Sequence, residues 1–569
     1  MLRLADDAEE GAVTVSVDES FAIVGDFGPY QKRHYFIVAS AWVPCALVTL
    51  STVFVNSHPA WRSPPLDAVS TDLVPCGHPF QIVDKWRSVQ GEWDLLCDRV
   101  GLSSVIDSCF FLGFGIGSMF LGRYSDKAGR RRGCLISTCI LSACTLCGAA
   151  APAYWLYVVL RLGSGIGVGG LAIGCYVLGQ ELVGPSYQAW TGVGQSIIFA
   201  LGAAILAPIA YLIPGWRALT AVTGLVGLAY VPVFLRVDES PGWLASVGDV
   251  ARATHVIRAI ARGNSSPGGN LTIRGTSLPA ASGGGASSSG TSSSGGGGVA
   301  AAGPNLFRGS LLRYLISNLV FWFSTSFTYY GLSLSSDNLE GSIHVTFALM
   351  CLVEVPADTL GAWLLDRIGR RPTLVGCYVL TAVSCLLSMV LPPGLATTTV
   401  VITGKFAIAA AFACIFVYAS ELFPTAVRSQ AMGLCSASGR LGGITAPFVV
   451  QLSSVGRSLP FVIFGLSCAA AALCFVRLPE TAGAKGDQAA GRPRGRLVAL
   501  AEVSDLSDDA IEMVGGCERA SERALGGQPM EPAQEQEQPG QEVEEGAEGA
   551  AGPGAGREAP RSGSVDPDL

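Results

Sequence analysis

Twelve apolar stretches of about 20 residues recur along this chain, and that is the length an α-helix needs to cross the ~30 Å hydrocarbon layer of a membrane. They lie near residues 35–55, 101–121, 134–153, 155–178, 189–213 and 217–236, then 311–334, 343–365, 373–392, 397–419, 431–453 and 458–477. A helix satisfies its backbone hydrogen bonds internally, so the pattern predicts an all-α membrane protein with twelve transmembrane helices. Composition agrees. Half of the 569 residues are hydrophobic, 14% are charged and the mean hydropathy is +0.44, which excludes an ordinary soluble domain and a disordered chain.

The formal charge of -7 is misleading, because residues 481–569 alone carry 18 Asp and Glu against 8 Lys and Arg. Acidity belongs to a tail and says nothing about what the membrane part binds. Most of the 17 cysteines sit inside apolar runs, where a thiol packs as a small hydrophobe; only Cys76 and Cys97 share a predicted outside loop, where one disulfide is feasible. The first thirty residues lack a basic segment followed by an apolar run, so no cleavable signal peptide is expected.

Basic residues orient the chain, since cytoplasmic loops are enriched in them. Lys127, Arg130, Arg131 and Arg132 follow the second span and Arg367, Arg370 and Arg371 the eighth, whereas the connections after spans three, seven and nine have none. Both termini are then cytoplasmic, although the 56–100 loop carries Arg62, Lys85, Arg87 and Arg99 on the predicted outside. The expected organisation is a cytoplasmic N-terminal segment (1–34), a six-helix bundle (35–236), a Gly/Ser-rich cytoplasmic linker (237–310), a second six-helix bundle (311–477) and a disordered acidic cytoplasmic tail (478–569). The linker reads as too poor in apolar residues to pack a core. Asn264 and Asn270 in it match the glycosylation pattern, but on the cytoplasmic side they are expected to stay unmodified.

The halves repeat. AspLysAlaGlyArgArg from Asp126 recurs as AspArgIleGlyArgArg from Asp366, and GluLeuValGlyPro from Glu181 as GluLeuPheProThr from Glu421, both at an offset of 240 residues. Glu239 and Glu480 close the halves at an offset of 241. Three landmarks in the same order indicate an internally duplicated transporter fold.

Gly122, Asp126, Lys127, Gly129, Arg130 and Arg131 resemble the loop motif of the major facilitator superfamily. Within it the chain is similar to the organic cation and organic anion transporters of solute carrier family 22, through GlyAspPheGlyProTyrGlnLys (25–32), GluTrpAspLeuLeuCysAsp (92–98), GluSerProGlyTrpLeu (239–244), TyrTyrGlyLeu (329–332) and TyrAlaSerGluLeuPheProThrAlaValArg (418–428). The resemblance covers about 21–481 and implies the twelve-helix fold and transport by alternating access. The chain departs from the family in a short first outside loop without Asn-x-Ser/Thr, in Gly242 where a basic residue is expected, and in Gln188 where the second half has Arg428.

Two halves that rock need contacts at one end that hold and yet break on each cycle, and charge pairs at helix ends do both. The expected cytoplasmic gate is Gly122, Asp126, Lys127, Gly129, Arg130, Arg131 and Glu181 with Asp366, Arg367, Gly369, Arg370, Arg371, Glu421 and Arg428. Charges inside the membrane are costly and default to function or mutual pairing. Glu354 and Arg440 fall near the midplane, with Asp358 one turn from Glu354. By resemblance, Arg440 stands where anion transporters carry Arg and cation transporters Asp, while Asp358 takes the place where the anion transporters have a Lys. Substrate contact and an ion pair with Asp358 or Glu354 are both open readings for it. Trp322, Phe323, Phe327, Tyr329 and Tyr330 form an aromatic cluster on the seventh span, able to bind flat organic ions or simply to pack. Arg161 and Lys405 divide between substrate contact and pairing, and Asp107 has no evident partner.

Gly165, Gly167 and Gly170 spell GxGxxG inside a span with no preceding strand, so close helix packing is expected there, as at Gly113 and Gly117. With no GxSxG, HExxH, Walker motif or clustered His and Cys, neither enzyme activity, nor a cofactor, nor a metal, nor a nucleic-acid partner is expected. The reading is a secondary-active or facilitative transporter of small organic ions, with organic anions favoured, in the plasma membrane. Its partners are the substrate, the lipid bilayer and an unspecified counter-ion or exchange substrate. The alternatives are a non-transporting receptor or scaffold of the same fold, or a carrier of cations or neutral solutes.

Overall fold

The computed structural model describes residues 13–63, 66–70, 80–266, 270–274, 306–339 and 341–481. After a short helix α1 (Val17–Val24) come six long ones: α2 (Pro29–Val55), α3 (Val100–Ala128), α4 (Arg130–Ala149), α5 (Tyr154–Glu181), α6 (Gln188–Leu212) and α7 (Trp216–Arg236). Two short helices, α8 (Pro241–Ser246) and α9 (Val250–Gly263), lead to the second six: α10 (Gly309–Leu334), α11 (Ile343–Arg367), α12 (Arg370–Val390), α13 (Leu395–Leu422), α14 (Thr425–Gln451) and α15 (Leu459–Val476). Ten of the twelve are long and apolar enough to cross a membrane by length and composition; α10 and α14, with their Ser, Thr, Gly and Arg residues, are the more polar pair. The twelve-helix, two-repeat architecture is therefore the fold.

In each half the second and fourth helices cross in contact. In the first half α3 and α5 meet backbone to backbone, because a β-carbon on Gly113 or Gly117 would collide with the Leu162 or Ile166 carbonyl, and one on Gly165 or Gly169 with that of Phe110 or Phe114. The GxGxxG run is a packing surface.

Residues 13–24 and 481 sit at the bundle end that also carries the loops after α3 and α11, called here the termini end. There the linker departs from its composition. Ala253, Val256, Ile257, Ile260 and Ala261 recur at helical spacing on one face of α9 and bury against Phe21 and Val24 of α1. Strand β1 (Val13–Val15) runs parallel to a strand at Leu271–Ile273 and closes this small core. A capping box, Ser16 with Glu19, starts α1, and the Ser16 backbone N–H holds the Glu19 carboxyl below the usual carboxylate range. The expectation of a coreless linker thus fails over 241–266 and 271–273, since the apolar partner comes from the chain's N-terminal segment. Asn264 is committed inside: its Nδ2 donates to the Val24 carbonyl at 2.9 Å and its Oδ1 accepts from Tyr30 N at 3.0 Å. The same Nδ2 donates to Gln31 Oε1 at 3.0 Å, so a glycan, which replaces one of its two hydrogens, would break one of these two donated bonds.

At the far end, Glu92 of the 92–98 motif accepts from Trp216 Nε1 at 2.7 Å and from Arg217 Nη2 at 2.6 Å, while Trp93 packs among Tyr154, Tyr157 and Trp216. That motif anchors the start of α3 to α5 and α7. Cys97 is disulfide-bonded; Cys76, the Gly/Ser-rich stretch and the acidic tail lie outside the described residues.

Candidate functional site

At the termini end one device is built twice. Arg130 pairs with Asp126 one turn away and with Glu181 at 3.3 Å. Arg370 pairs with Asp366 at 3.6 Å and Glu421 at 3.1 Å. The third landmark completes each set: Glu239 accepts from the Arg131 backbone N–H at 3.0 Å, and Glu480 from those of Arg370 and Arg371, each at 2.9 Å. These carboxylates lie against Gly129 and Gly369, whose φ angles of +112° and +107° suit glycine and whose missing β-carbons leave room for the acid. Trp243 on α8 donates to the Asp126 carbonyl at 2.7 Å, tying the linker core to the loop. Gly122 is buried, Lys127 and Arg367 are exposed, and Arg428 donates to the Phe423 carbonyl at 3.2 Å.

These gate residues were expected to join the halves. Instead, each of these ion pairs braces its own half. The halves meet at the far end and at mid-depth. Phe54 packs against His344 and Phe347, and His344 also against Tyr211. His58 N donates to Asp337 at 3.0 Å, Ser104 to Gln451 Oε1 at 2.6 Å and Ser108 to the Ile444 carbonyl at 2.8 Å.

Between these ends lie the buried charges. Glu354 and Lys405 pair at 2.8 Å, both almost fully buried. Tyr329 donates to Glu354 at 2.9 Å, and the Lys405 ammonium lies 3.2 Å from the centre of the Tyr329 ring while donating to Ser333 Oγ at 2.8 Å. The outer-part lysine of α13 is thus the partner of the mid-membrane acid of α11, and Glu354 is not available to Arg440.

Arg440 makes no hydrogen bond and no ion pair among the described residues, and its Nε is buried without a partner. The guanidinium lies 3.9 Å from the centre of the Phe114 ring on the opposite half. Phe111, one turn before Phe114, meets Tyr330 with ring centres 4.6 Å apart. Asp358 is also buried and without hydrogen bond or ion pair among the described residues. Neither of the ion pairs weighed for Arg440 is formed.

Tyr329, Tyr330, Glu354 and Lys405 therefore form one cluster, with Arg440 beside Tyr330. Trp322 packs on Phe416 with ring centres 4.4 Å apart, its Nε1 unpartnered, and Phe323 stacks on Phe327 and lines a separate 330 Å³ crevice of α10, α14 and α15. Sequence reasoning missed Phe111 and Phe114. The signal was their spacing from Asp107, at i+4 and i+7 on one stripe of α3.

The comparisons with known proteins follow the same lines. The sugar (and other) transporter family matches residues 83–489. "Solute carrier family 22 member 15-like" of Xenopus tropicalis is 32% identical over 474 residues, 82% of this chain and 94% of that protein. "Organic cation/carnitine transporter 4" of Arabidopsis thaliana is 30% identical, over 83% of this chain and 90% of its own length, and the human "Organic cation/carnitine transporter 2" 27%, over 82% and 92%. Among solved structures, the inward-open xylose transporter of E. coli superposes with a TM-score of 0.55 at 16% identity, over 79% of this chain and 97% of that one, which bears on the fold alone. With its duplicated loops, its twelve helices and these relatives, the chain belongs to solute carrier family 22 of the major facilitator superfamily and is a multi-pass membrane transporter.

Proposed function

We propose that the protein carries small organic ions by alternating access, and that its substrates bear an anionic group held by Arg440 together with a positively charged part. The observation that carries this is Arg440, an arginine among membrane helices with no acid paired to it among the described residues. A guanidinium without a hydrogen-bonded acid attracts a carboxylate or sulfate and binds it through two parallel N–H donors. The anion preference drawn from sequence is narrowed by Asp358, a buried carboxylate left over once Lys405 has neutralised Glu354, and by the rings of Tyr330, Phe111 and Phe114, which suit a cation. The names of two relatives, organic cation/carnitine transporters, support a substrate with both charges, because carnitine carries a carboxylate and a quaternary ammonium.

In this reading the termini are cytoplasmic, the protein sits in the plasma membrane, and the conformation described has its halves joined on the outside and parted within. Antibody epitopes inserted near residues 285 and 530 should be reached only after permeabilisation; labelling on intact cells would reverse the orientation.

The central test uses radiolabelled carnitine and a metabolite-wide uptake comparison, with surface abundance measured in parallel. Arg440→Ala should keep normal abundance and lose uptake of every substrate with an anionic group, while Asp358→Asn should lose uptake of zwitterions and spare simple anions. Normal uptake by Arg440→Ala would remove the anchor. A fall in abundance rescued by Asp358→Asn would show instead that the two residues pair.

A further inference from the structure

Away from the buried charges, three elements of the first half meet at Tyr30, in the first turn of α2. Its hydroxyl donates to Asp238, just beyond the end of α7. Its backbone N–H donates to Asn264, and Gly263 at the end of α9 lies so close that a β-carbon there would come within 2.7 Å of the Tyr30 Cβ. Each element brings exposed basic residues to this junction: α2 has Lys32 and Arg33, α7 has Arg236 and α9 has Arg262. Arg33 acts electrostatically on the Tyr30 hydroxyl, and Lys32 lies over the Phe27 ring. Among the described residues, the guanidiniums of Arg33, Arg236 and Arg262 form no ion pair and no hydrogen bond. Asp238, the acid at the junction, is taken by Tyr30. The whole of α9 contains three Arg, one His and no acid, and its apolar face is already spent on α1.

The depth of this cluster follows from the residues beside it. On α2 the side facing the bundle is committed, because Gln31 donates to the Leu182 carbonyl, His34 accepts from the Asp238 backbone N–H and Tyr35 donates to the Thr191 carbonyl. The opposite side carries Lys32 and Arg33 and then, one turn further into the span, Phe36 at 59% and Ile37 at 36% exposure. On α7, exposed Leu228 and Leu235 precede Arg236 in the same way. Exposed apolar side chains on spanning helices are covered by lipid tails, so basic residues one turn beyond them stand among the headgroups.

Basic residues clustered beside a membrane span attract anionic lipid, and a guanidinium grips a phosphate through two parallel donors. Three unpaired guanidiniums and an ammonium exceed what the single net charge of phosphatidylserine would neutralise. We propose that this junction binds the headgroup of a polyphosphorylated inositol lipid, with its phosphates on Arg33, Arg236 and Arg262 and its acyl chains along Phe36, Ile37 and Leu235. Such an occupant ties the linker core to the membrane ends of α2 and α7.

The test is native mass spectrometry of the purified full-length protein in detergent, titrated with short-chain phosphatidylinositol bisphosphate, short-chain phosphatidylserine or soluble inositol trisphosphate. The bisphosphate lipid should bind saturably and more tightly than the serine lipid, and inositol trisphosphate should displace it only in excess. Arg33→Gln/Arg236→Gln should weaken binding roughly tenfold or more, the loss expected for two basic residues facing anionic lipid. Arg262→Gln should weaken it as well. Arg313→Gln/Arg477→Gln, which removes two exposed basic residues from the ends of α10 and α15 in the second half, should leave it unchanged. Equal binding of the two lipids would overturn the proposal, as would an equal loss in both double variants, which means general attraction to charge. Displacement by inositol trisphosphate at matched concentration would also overturn it, by showing a site for soluble phosphates. Because the substituted side chains are exposed and unbonded, unfolding midpoints without lipid should stay as in the unaltered chain, and the comparison of lipids stands without any variant.

Discussion

The two halves agree where they meet water and disagree inside the membrane. At the termini end Asp126, Arg130, Glu181 and Glu239 are matched one for one by Asp366, Arg370, Glu421 and Glu480, in corresponding ion pairs and backbone bonds, with Glu480 and Glu421 each accepting one bond more. At depth the 240-residue offset sets Phe114 opposite Glu354, Gly165 opposite Lys405, Ala200 opposite Arg440, Phe347 opposite Asp107 and Val401 opposite Arg161. Where α3 crosses α5, Phe114 and Gly165 touch through backbone; where α11 crosses α13, Glu354 and Lys405 touch through charge. Duplication preserved the device that braces each half, while each half acquired its own buried charges. Buried charge is the expensive feature, and its asymmetry is what the proposed substrate site draws on.

The ion-pair crossing is the first place to break this comparison. Lys405→Met leaves Glu354 buried with Tyr329 as its remaining donor, and removing one partner of a buried pair typically costs about 3–5 kcal/mol. Unfolding of the purified protein should show that loss, and Lys405→Met/Glu354→Gln should recover most of it. A single variant as stable as the unaltered chain would mean that the pair does not hold the crossing.

The glycine crossing should respond to bulk. Gly169→Val drives a side chain into the Phe114 carbonyl, and overpacking of this kind costs about 1–3 kcal/mol. Gly361→Ala in the other half faces only Cys414 Sγ at 3.2 Å and Ala410, and should cost less. Equal losses would erase the distinction between the two crossings.

Much of this was legible beforehand, and the remainder was hidden for physical reasons. The duplicated acids could be found because loop motifs keep their spacing through a duplication. Glu354 and Arg440 stood out as charges in apolar runs. Their pairing did not, because whether Glu354 meets Lys405 or Arg440 depends on how α13 and α14 are rotated about their axes, which linear spacing does not record. Phe111 and Phe114 read as ordinary apolar residues until α14 was seen to cross α3. The linker misled for another reason: the apolar face of α9 is visible at Ala253, Val256, Ile257 and Ile260, but its partners Phe21 and Val24 lie more than two hundred residues earlier, beyond any window of composition.

The matched ends can be sharpened by burial. The Glu421 side chain is 7% exposed and also accepts from Thr481 at 2.9 Å, whereas Glu181 is 29% exposed. Hydrogen bonds to a charged group are worth roughly 1.5–3 kcal/mol when shielded, so Glu421→Gln should destabilise within that range and Glu181→Gln by less. The reverse order in unfolding measurements would show that local dielectric does not govern the two copies.

The smallest effect belongs to the acids that open the two loop motifs. Sequence alone makes Asp126 a gate residue, and charge-assisted bonding would give it 1–3 kcal/mol of leverage on the conformational equilibrium. Its side chain is 64% exposed and that of Asp366 is 81% exposed. Exposed pairs contribute about 0–1 kcal/mol and weaken as salt rises. In the conformation described, each acid also serves only its own half, so its loss removes nothing that joins the halves. Asp126→Asn and Asp366→Asn should therefore change stability by less than about 1 kcal/mol each, with the difference fading at high salt. Any larger effect on transport must come from the opposite conformation, in which the termini ends close. Uptake kinetics compared with unfolding midpoints across a salt series separates the two. A salt-independent loss of stability in either variant would mean that the loops are braced by these acids in the conformation described.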